Sequence, residues 1–132
     1  MTVPLRHPAA WLTIGWSLVA CAIIGSLMPG NAVSKLGLFK IGDKLLHAGM
    51  YAALAIWFTG IYPRSRYVAI AVGLFLLGVL AELGQGAMHA GREPSLGDVV
   101  ANSVGIAVGV GLALAGLGGW ARRVEDWVVG RS

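Results

Sequence analysis

Charge is scarce in this chain of 132 residues, and its spacing says more than its amount. No Asp, Glu, Lys or Arg occurs between Arg6 and Lys35, between Lys44 and Arg64, or between Asp98 and Arg122, and from Arg66 to Arg92 only Glu82 intervenes. Charged residues make up 12% of the chain, about half the ~25% of soluble domains. There is one cysteine, Cys21, which excludes an intrachain disulfide and a cysteine-rich metal site; its place in the middle of an apolar run suggests packing. Ser-centred nucleophile elbows, phosphate-binding Gly-rich loops and His-Glu-x-x-His are all missing. No convincing internal repeat is found either, which removes the usual signature of an inverted-repeat transporter.

What remains is apolar sequence in helix-length blocks. A bilayer core of ~30 Å is crossed by about 20 apolar helical residues, and each uncharged gap supplies that many once its flanks are included. The expected spans are 9–28, 43–61, 67–87 and 95–118. The fold class expected is therefore all-α, a polytopic four-transmembrane-helix bundle, with residues 1–132 forming a single membrane domain and leaving too little chain for a soluble one. A mean hydropathy of +0.75 agrees. A cleaved signal peptide is the rival reading of the first block, but its uncharged run far exceeds the ~7–15-residue apolar region of such a peptide, and it lacks a clean small-x-small cleavage site.

Between the first two spans, residues 29–42 mix Leu36, Leu38, Phe39 and Ile41 with Lys35 and Lys40, which reads as an interfacial loop or short helix, with a substrate lid as the functional alternative. Tyr62-Pro63-Arg64-Ser65-Arg66 is a short, Pro-broken connection, so the second and third spans should form a tight hairpin. After the last span, Trp120, Val124, Trp127 and Val128 recur at helical spacing against Arg122, Arg123, Glu125 and Asp126, so 120–129 reads as an amphipathic interfacial helix.

The net charge of +4 would suggest nucleic acid in a soluble protein, but here the basic residues bracket apolar spans, and no nucleic-acid partner is expected. Four spans put both termini on one side. Arg6, Arg64, Arg66, Arg122, Arg123 and Arg131 fall on that side, with Lys35, Lys40, Lys44 and Arg92 opposite. The bias favours cytoplasmic termini in a bacterial inner membrane. Trp11, Trp57, Tyr62, Tyr67 and Trp120 would then form an inner aromatic belt.

With that topology the unusual polar residues converge at the outer end. Asp43, His47 and Tyr51 stand at i, i+4, i+8; Glu82, Gln85 and His89 at i, i+3, i+7; and Asp98, Asn102, Gly105 and Gly109 form a third stripe. Three polar stripes facing one another make a pocket, with Lys44 and Arg92 supplying positive charge at its mouth. Glu82 carries the most weight, because a carboxylate this deep in an apolar helix costs about 2.5–3.5 kcal/mol even on the lenient insertion scale.

Structural roles stand beside the functional ones. Asp43 is also a candidate N-cap, Ser95-x-x-Asp98 fits a capping box, and Lys44 can snorkel to headgroups. His47, Tyr51, Gln85 and Asn102 can serve as polar glue between helices. Gly105-x-x-x-Gly109 and Ala107-x-x-x-Gly111-x-x-x-Ala115 suit intrachain packing or a homodimer contact.

The blocks Asp43-Lys44-x-x-His47-x-x-x-Tyr51, Glu82-x-x-Gln85 and Arg92-x-x-Ser95-x-x-Asp98-x-x-x-Asn102-x-x-Gly105 together resemble the VanZ-like family of small bacterial membrane proteins. They cover about half of the chain, from Asp43 to Gly105. The resemblance implies a polytopic envelope protein whose founding relatives are associated with resistance to the glycopeptide teicoplanin. The chain looks like the four-helix core of that family without an appended domain.

The reading that leads is a non-enzymatic protein binding a polar lipid headgroup or cell-wall precursor, with Asp43, Lys44, His47, Tyr51, Glu82, Gln85, Arg92, Asp98 and Asn102 around the ligand. Membrane lipids are its expected partners, and no cofactor or resident metal is expected. A membrane enzyme acting on a lipid-linked headgroup, with His47 as acid/base oriented by Glu82 or Asp98, is the alternative. A proton-coupled transporter using Glu82 and His47 is another. A metal version of the site would draw on His47, Glu82, Asp98 and His89.

Overall fold

A computed structural model of the chain describes residues 2–27, 43–88 and 96–130, with side chains described at all of these except 26–27, 43–44, 85–88 and 130. The described residues are helical, with no strand among them: α1 (Pro8–Leu27), α2 (Asp43–Ile61), α3 (Tyr67–Met88), α4 (Leu96–Leu112) and α5 (Trp120–Gly130). A 3₁₀ turn over Arg64–Arg66 links α2 to α3, and a wide π turn over Ala113–Leu117 links α4 to α5. Stretches over Pro8–Gly25, Arg64–Gly84 and Leu96–Leu117 are long and apolar enough to cross a membrane. These three apolar helices suggest a membrane protein. The 29–42 segment lies outside the described residues.

Helix boundaries follow local chemistry. Pro8 opens α1 at the one position where a missing N–H costs nothing. Pro63 ends the α2 register and starts the 3₁₀ turn, whose Arg66 N–H donates to the Pro63 carbonyl at 2.9 Å. At the far end of α4, Gly116 adopts φ 129°, a region closed to residues with a Cβ. The carbonyls freed by this kink are taken by Arg123, which donates to Gly116 O (3.1 Å), Leu117 O (2.8 Å) and Gly118 O (3.0 Å). Arg64 does the same for Leu114 O at 3.0 Å.

Helix α2 is the hub. Tyr51, Leu54, Ala55, Phe58, Thr59, Gly60 and Ile61 are all buried in it, and α1, α3, α4 and α5 all pack on it. Its uncharged stretch, Leu45–Ile61, is the shortest of the four apolar helices, and this is tolerable because so much of its surface meets protein. The other three turn most of their apolar residues outward: Val72, Leu76, Leu80 and Leu83 on α3, and Val100, Val104 and Val108 on α4, are exposed. So large an exposed apolar surface is a liability in water and ordinary against lipid tails. Cys21, expected to pack, is on that outward surface of α1; the inward stripe of α1 is Gly15, Val19 and Ala22, and Cys21 falls off it.

The two chain ends and the α2–α3 turn meet at one end of the bundle. Val3 N–H donates to Ile61 O and Gly119 N–H to Thr59 O. Trp11, Trp57 and Trp120 meet there tilted or edge to face, with ring centroids 5.3–5.4 Å apart, so three of the five residues expected as a belt pack against one another as a plug. Trp57 Nε1 donates to Trp11 O and Trp120 Nε1 to Ile56 O. Glu125, expected on the solvated side of the tail helix, is buried instead. Its carboxylate accepts from Arg6 N (2.6 Å), His7 N (3.1 Å) and Trp11 Nε1 (2.8 Å), clasping the N-terminal segment to α5. Burial works to raise the Glu125 pKa, but the Arg6 N–H, the Trp11 indole and the His7 N–H, with the positive charge of His7, outweigh it and hold the carboxyl below the usual range.

Candidate functional site

The opposite end of the bundle is built on small residues. A Cβ at Gly105 would overlap the Ala48 carbonyl, and one at Gly109 would lie 2.5 Å from Ala55 Cβ. The Gly105-x-x-x-Gly109 face of α4 is thus pressed against Ala48, Ala52 and Ala55 of α2, which settles its use as intrachain packing. The second small-residue face is different: Ala107, Gly111 and Ala115 are exposed, and nothing comes within 4 Å of a Cβ at Gly111. On α3, Gly78 lies against the Asn102 side chain. These approaches bring α2, α3 and α4 close enough for their polar stripes to meet.

Three ionisable residues converge there, one from each helix. His47 from α2, Glu82 from α3 and Asp98 from α4 are all buried, at 5%, 4% and 4% exposure. Each offers one ligand-type atom, and these atoms lie within 4.8 Å of one another. Glu82 stands on the inward stripe Leu74, Gly78, Glu82, one residue every helical turn, so it turns into the bundle and away from the lipid-facing side. His47 Nε2 is 3.8 Å from Asp98 Oδ2. Its other nitrogen, Nδ1, is 3.0 Å from Asn102 Oδ1. An amide oxygen only accepts, so this contact is a hydrogen bond in the tautomer protonated at Nδ1, in which the Nε2 lone pair faces Asp98.

Asn102 is 2% exposed and Tyr51, one turn beyond His47, is 1% exposed. Of the expected ligand-contacting residues, His47, Tyr51, Glu82, Asp98 and Asn102 are thus interior. Asp98 is the third residue of α4, where the helix dipole favours a carboxylate, and it also stands 3.8 Å from His47. The backbones of Asp43 and Lys44 begin α2 and that of Gln85 falls in the last turns of α3, but their side chains lie outside the described residues, as do His89, Arg92 and Ser95 entirely.

Sequence spacing singled out His47, Tyr51, Glu82, Asp98 and Asn102 and the Gly105 and Gly109 face, but not the Gly78 seat on α3. The signal for Gly78 is legible afterwards, since it stands one turn before Glu82. The Glu125 clasp carried no comparable signal, because its partners are backbone N–H groups 119 and 118 residues away. No family model, curated protein or solved structure matches the chain.

Proposed function

We propose that this is a VanZ-like inner-membrane protein of four spans, with both termini cytoplasmic and α5 lying in the inner interface. In this reading it binds a polar lipid headgroup or cell-wall precursor at its outer end. The observation that carries it is the buried meeting of His47, Glu82 and Asp98 from three separate helices. Burying such groups in an apolar bundle costs several kcal/mol each (order of magnitude), far more than the neutral glue that would hold the helices equally well. α2 and α4 also begin at this end, so their N-terminal dipoles favour an anionic group there. The carboxylates suit hydroxyls or an amine.

Support for the topology comes from the opposite end, where Arg6, Arg64, Arg66, Arg122 and Arg123 gather around the chain ends and the α2–α3 turn. α2 supplies the fourth span: Leu45–Ile61 is 17 residues, about 26 Å of helix, and its burial among the others relieves the shortfall. α5 leaves Val124, Trp127 and Val128 exposed on one side, an apolar strip suited to the headgroup boundary.

The test is the lipid that copurifies. Native mass spectrometry of the detergent-extracted protein should show a retained lipid or lipid-linked precursor with a polar headgroup, and Glu82→Gln should fold and lose most of it. Equal retention by the two proteins would exclude the assignment. An enzymatic second reading is favoured by one detail, the Asn102 hydrogen bond that orients His47 as a base is oriented in acid–base sites. Conversion of the copurified lipid by the purified protein would select it, and proton-coupled movement of that lipid across vesicles would select transport.

A further inference from the structure

The cluster of His47, Glu82 and Asp98 has the composition and spacing of a cation site, which is a narrower statement than headgroup binding. We propose that it binds one divalent transition-metal ion, zinc before manganese, through His47 Nε2 and one carboxylate oxygen each from Glu82 and Asp98. The remaining position is left for water or for an anionic oxygen of the headgroup.

Geometry comes first. Tetrahedral zinc with bonds of about 2.0–2.1 Å sets its ligand atoms about 3.4 Å apart. His47 Nε2 and Asp98 Oδ2 are already 3.8 Å apart. The widest separation in the set is within 4.8 Å, so closure by about 1.4 Å completes the triangle, a movement that side-chain torsions of Glu82 can supply. The three ligands come from three different helices that are held together by the Gly105, Gly109 and Gly78 contacts, so the triangle is fixed by the bundle and not by a loop.

The second argument is the histidine tautomer. A metal-ligating imidazole donates its other N–H to a fixed acceptor, which sets the ring and leaves the ligating nitrogen unprotonated. His47 has this arrangement, with Nδ1 on Asn102 Oδ1 at 3.0 Å and Nε2 towards the carboxylates. A dication with a neutral imidazole and two carboxylates sums to zero, the cheapest state in a low-dielectric interior. One imidazole with two carboxylates is a mixed set that zinc accepts readily and that manganese tolerates.

This inference rests on the same site as the headgroup reading, and the experiment separates them. The tag-free full chain in detergent, stripped with chelator, is titrated with Co²⁺ as the spectroscopic probe. Wild type should develop visible d–d absorption that saturates at one ion per chain and is displaced by Zn²⁺. Asn102→Ala, which removes the orienting acceptor, should weaken Co²⁺ affinity about 10–100-fold, and His47→Ala, Glu82→Gln and Asp98→Asn should weaken it further. Absence of a saturable signal in wild type overturns the inference, without recourse to any variant. So does an unchanged affinity in all three ligand variants, which puts the ion elsewhere, and so does displacement by Lys44 or Arg92, seen as binding that appears only in Lys44→Gln or Arg92→Gln. Lipid retained by a chain that binds no metal leaves the headgroup reading standing alone; metal bound by a chain that retains no lipid leaves the metal site standing alone.

Discussion

At the scale of single residues, two buried carboxylate sites stand among the described residues, one at each end, with opposite logic. Glu125 is satisfied by three N–H donors and a nearby histidine that lower its pKa. A group whose folded pKa lies below its unfolded value contributes stability above the unfolded pKa and loses it as pH falls through the folded one. Acidification through and below the ordinary Glu range should therefore release the N-terminal segment, seen as a change in tryptophan fluorescence as Trp11 loses its hydrogen bond. Glu125→Gln should flatten that transition, and a wild-type signal independent of pH across this range would refute the clasp. Glu82 and Asp98 stand instead on helix faces that turn into the bundle, where they meet His47. Among the described side chains, His47 and Asn102 stand in that cluster, so its chemistry is that of a mixed side-chain set and not of a carboxylate held by backbone N–H groups.

At the scale of elements, glycine decides which faces meet. α4 has two small-residue faces that look equivalent in sequence, yet only the one bearing Gly105 and Gly109 is covered. Gly109→Leu should force α2 and α4 apart and lower stability by about 1–3 kcal/mol, the usual result of overpacking, whereas Gly111→Leu should leave thermal unfolding in detergent nearly unchanged. Equal effects of the two would mean that α4 is rotated from the described arrangement. The α4–α5 junction depends on Arg123 in a similar way, as its guanidinium caps three carbonyls that the Gly116 kink leaves without helical partners. Arg123→Gln should cost about 0.5–1.5 kcal/mol and increase hydrogen exchange at the end of α4 and the start of α5. Unaltered exchange there would show that the kink holds itself.

At the scale of the whole molecule, polarity is arranged in one direction. Described arginines, chain ends and the tryptophan plug occupy one end, and the His47–Glu82–Asp98 cluster lies near the other, about 21 Å away as counted along α2 from His47 to Ile61. This arrangement makes the orientation testable with two positions. In a Cys21→Ala background, which removes the outward-facing native thiol, Ser65→Cys should label only from the cytoplasmic side and Gly91→Cys only from outside. The reverse pattern would invert the protein and place the polar cluster at the inner face.

The sequence by itself determined the apolar blocks, the boundaries of the described helices to within a few residues, the connection at Pro63 and the shared faces of His47 with Tyr51 and of Asp98 with Asn102. All of these depend on local quantities: charge spacing, helical periodicity and the fixed φ of proline. It also singled out Glu82, because the cost of a carboxylate in an apolar run is a property of the run. Which faces pack together was not legible, for the two glycine and alanine stripes of α4 are chemically alike and only the shape of α2 distinguishes them. Nor was the exposure of Cys21, or the inward turn of Glu125, since both depend on how a whole helix is rotated against its neighbours. Only the tertiary structure brought His47 within 3.8 Å of Asp98 and set its other ring nitrogen 3.0 Å from Asn102: separations across three helices follow from their contacts, and periodicity along one helix carries no information about the next.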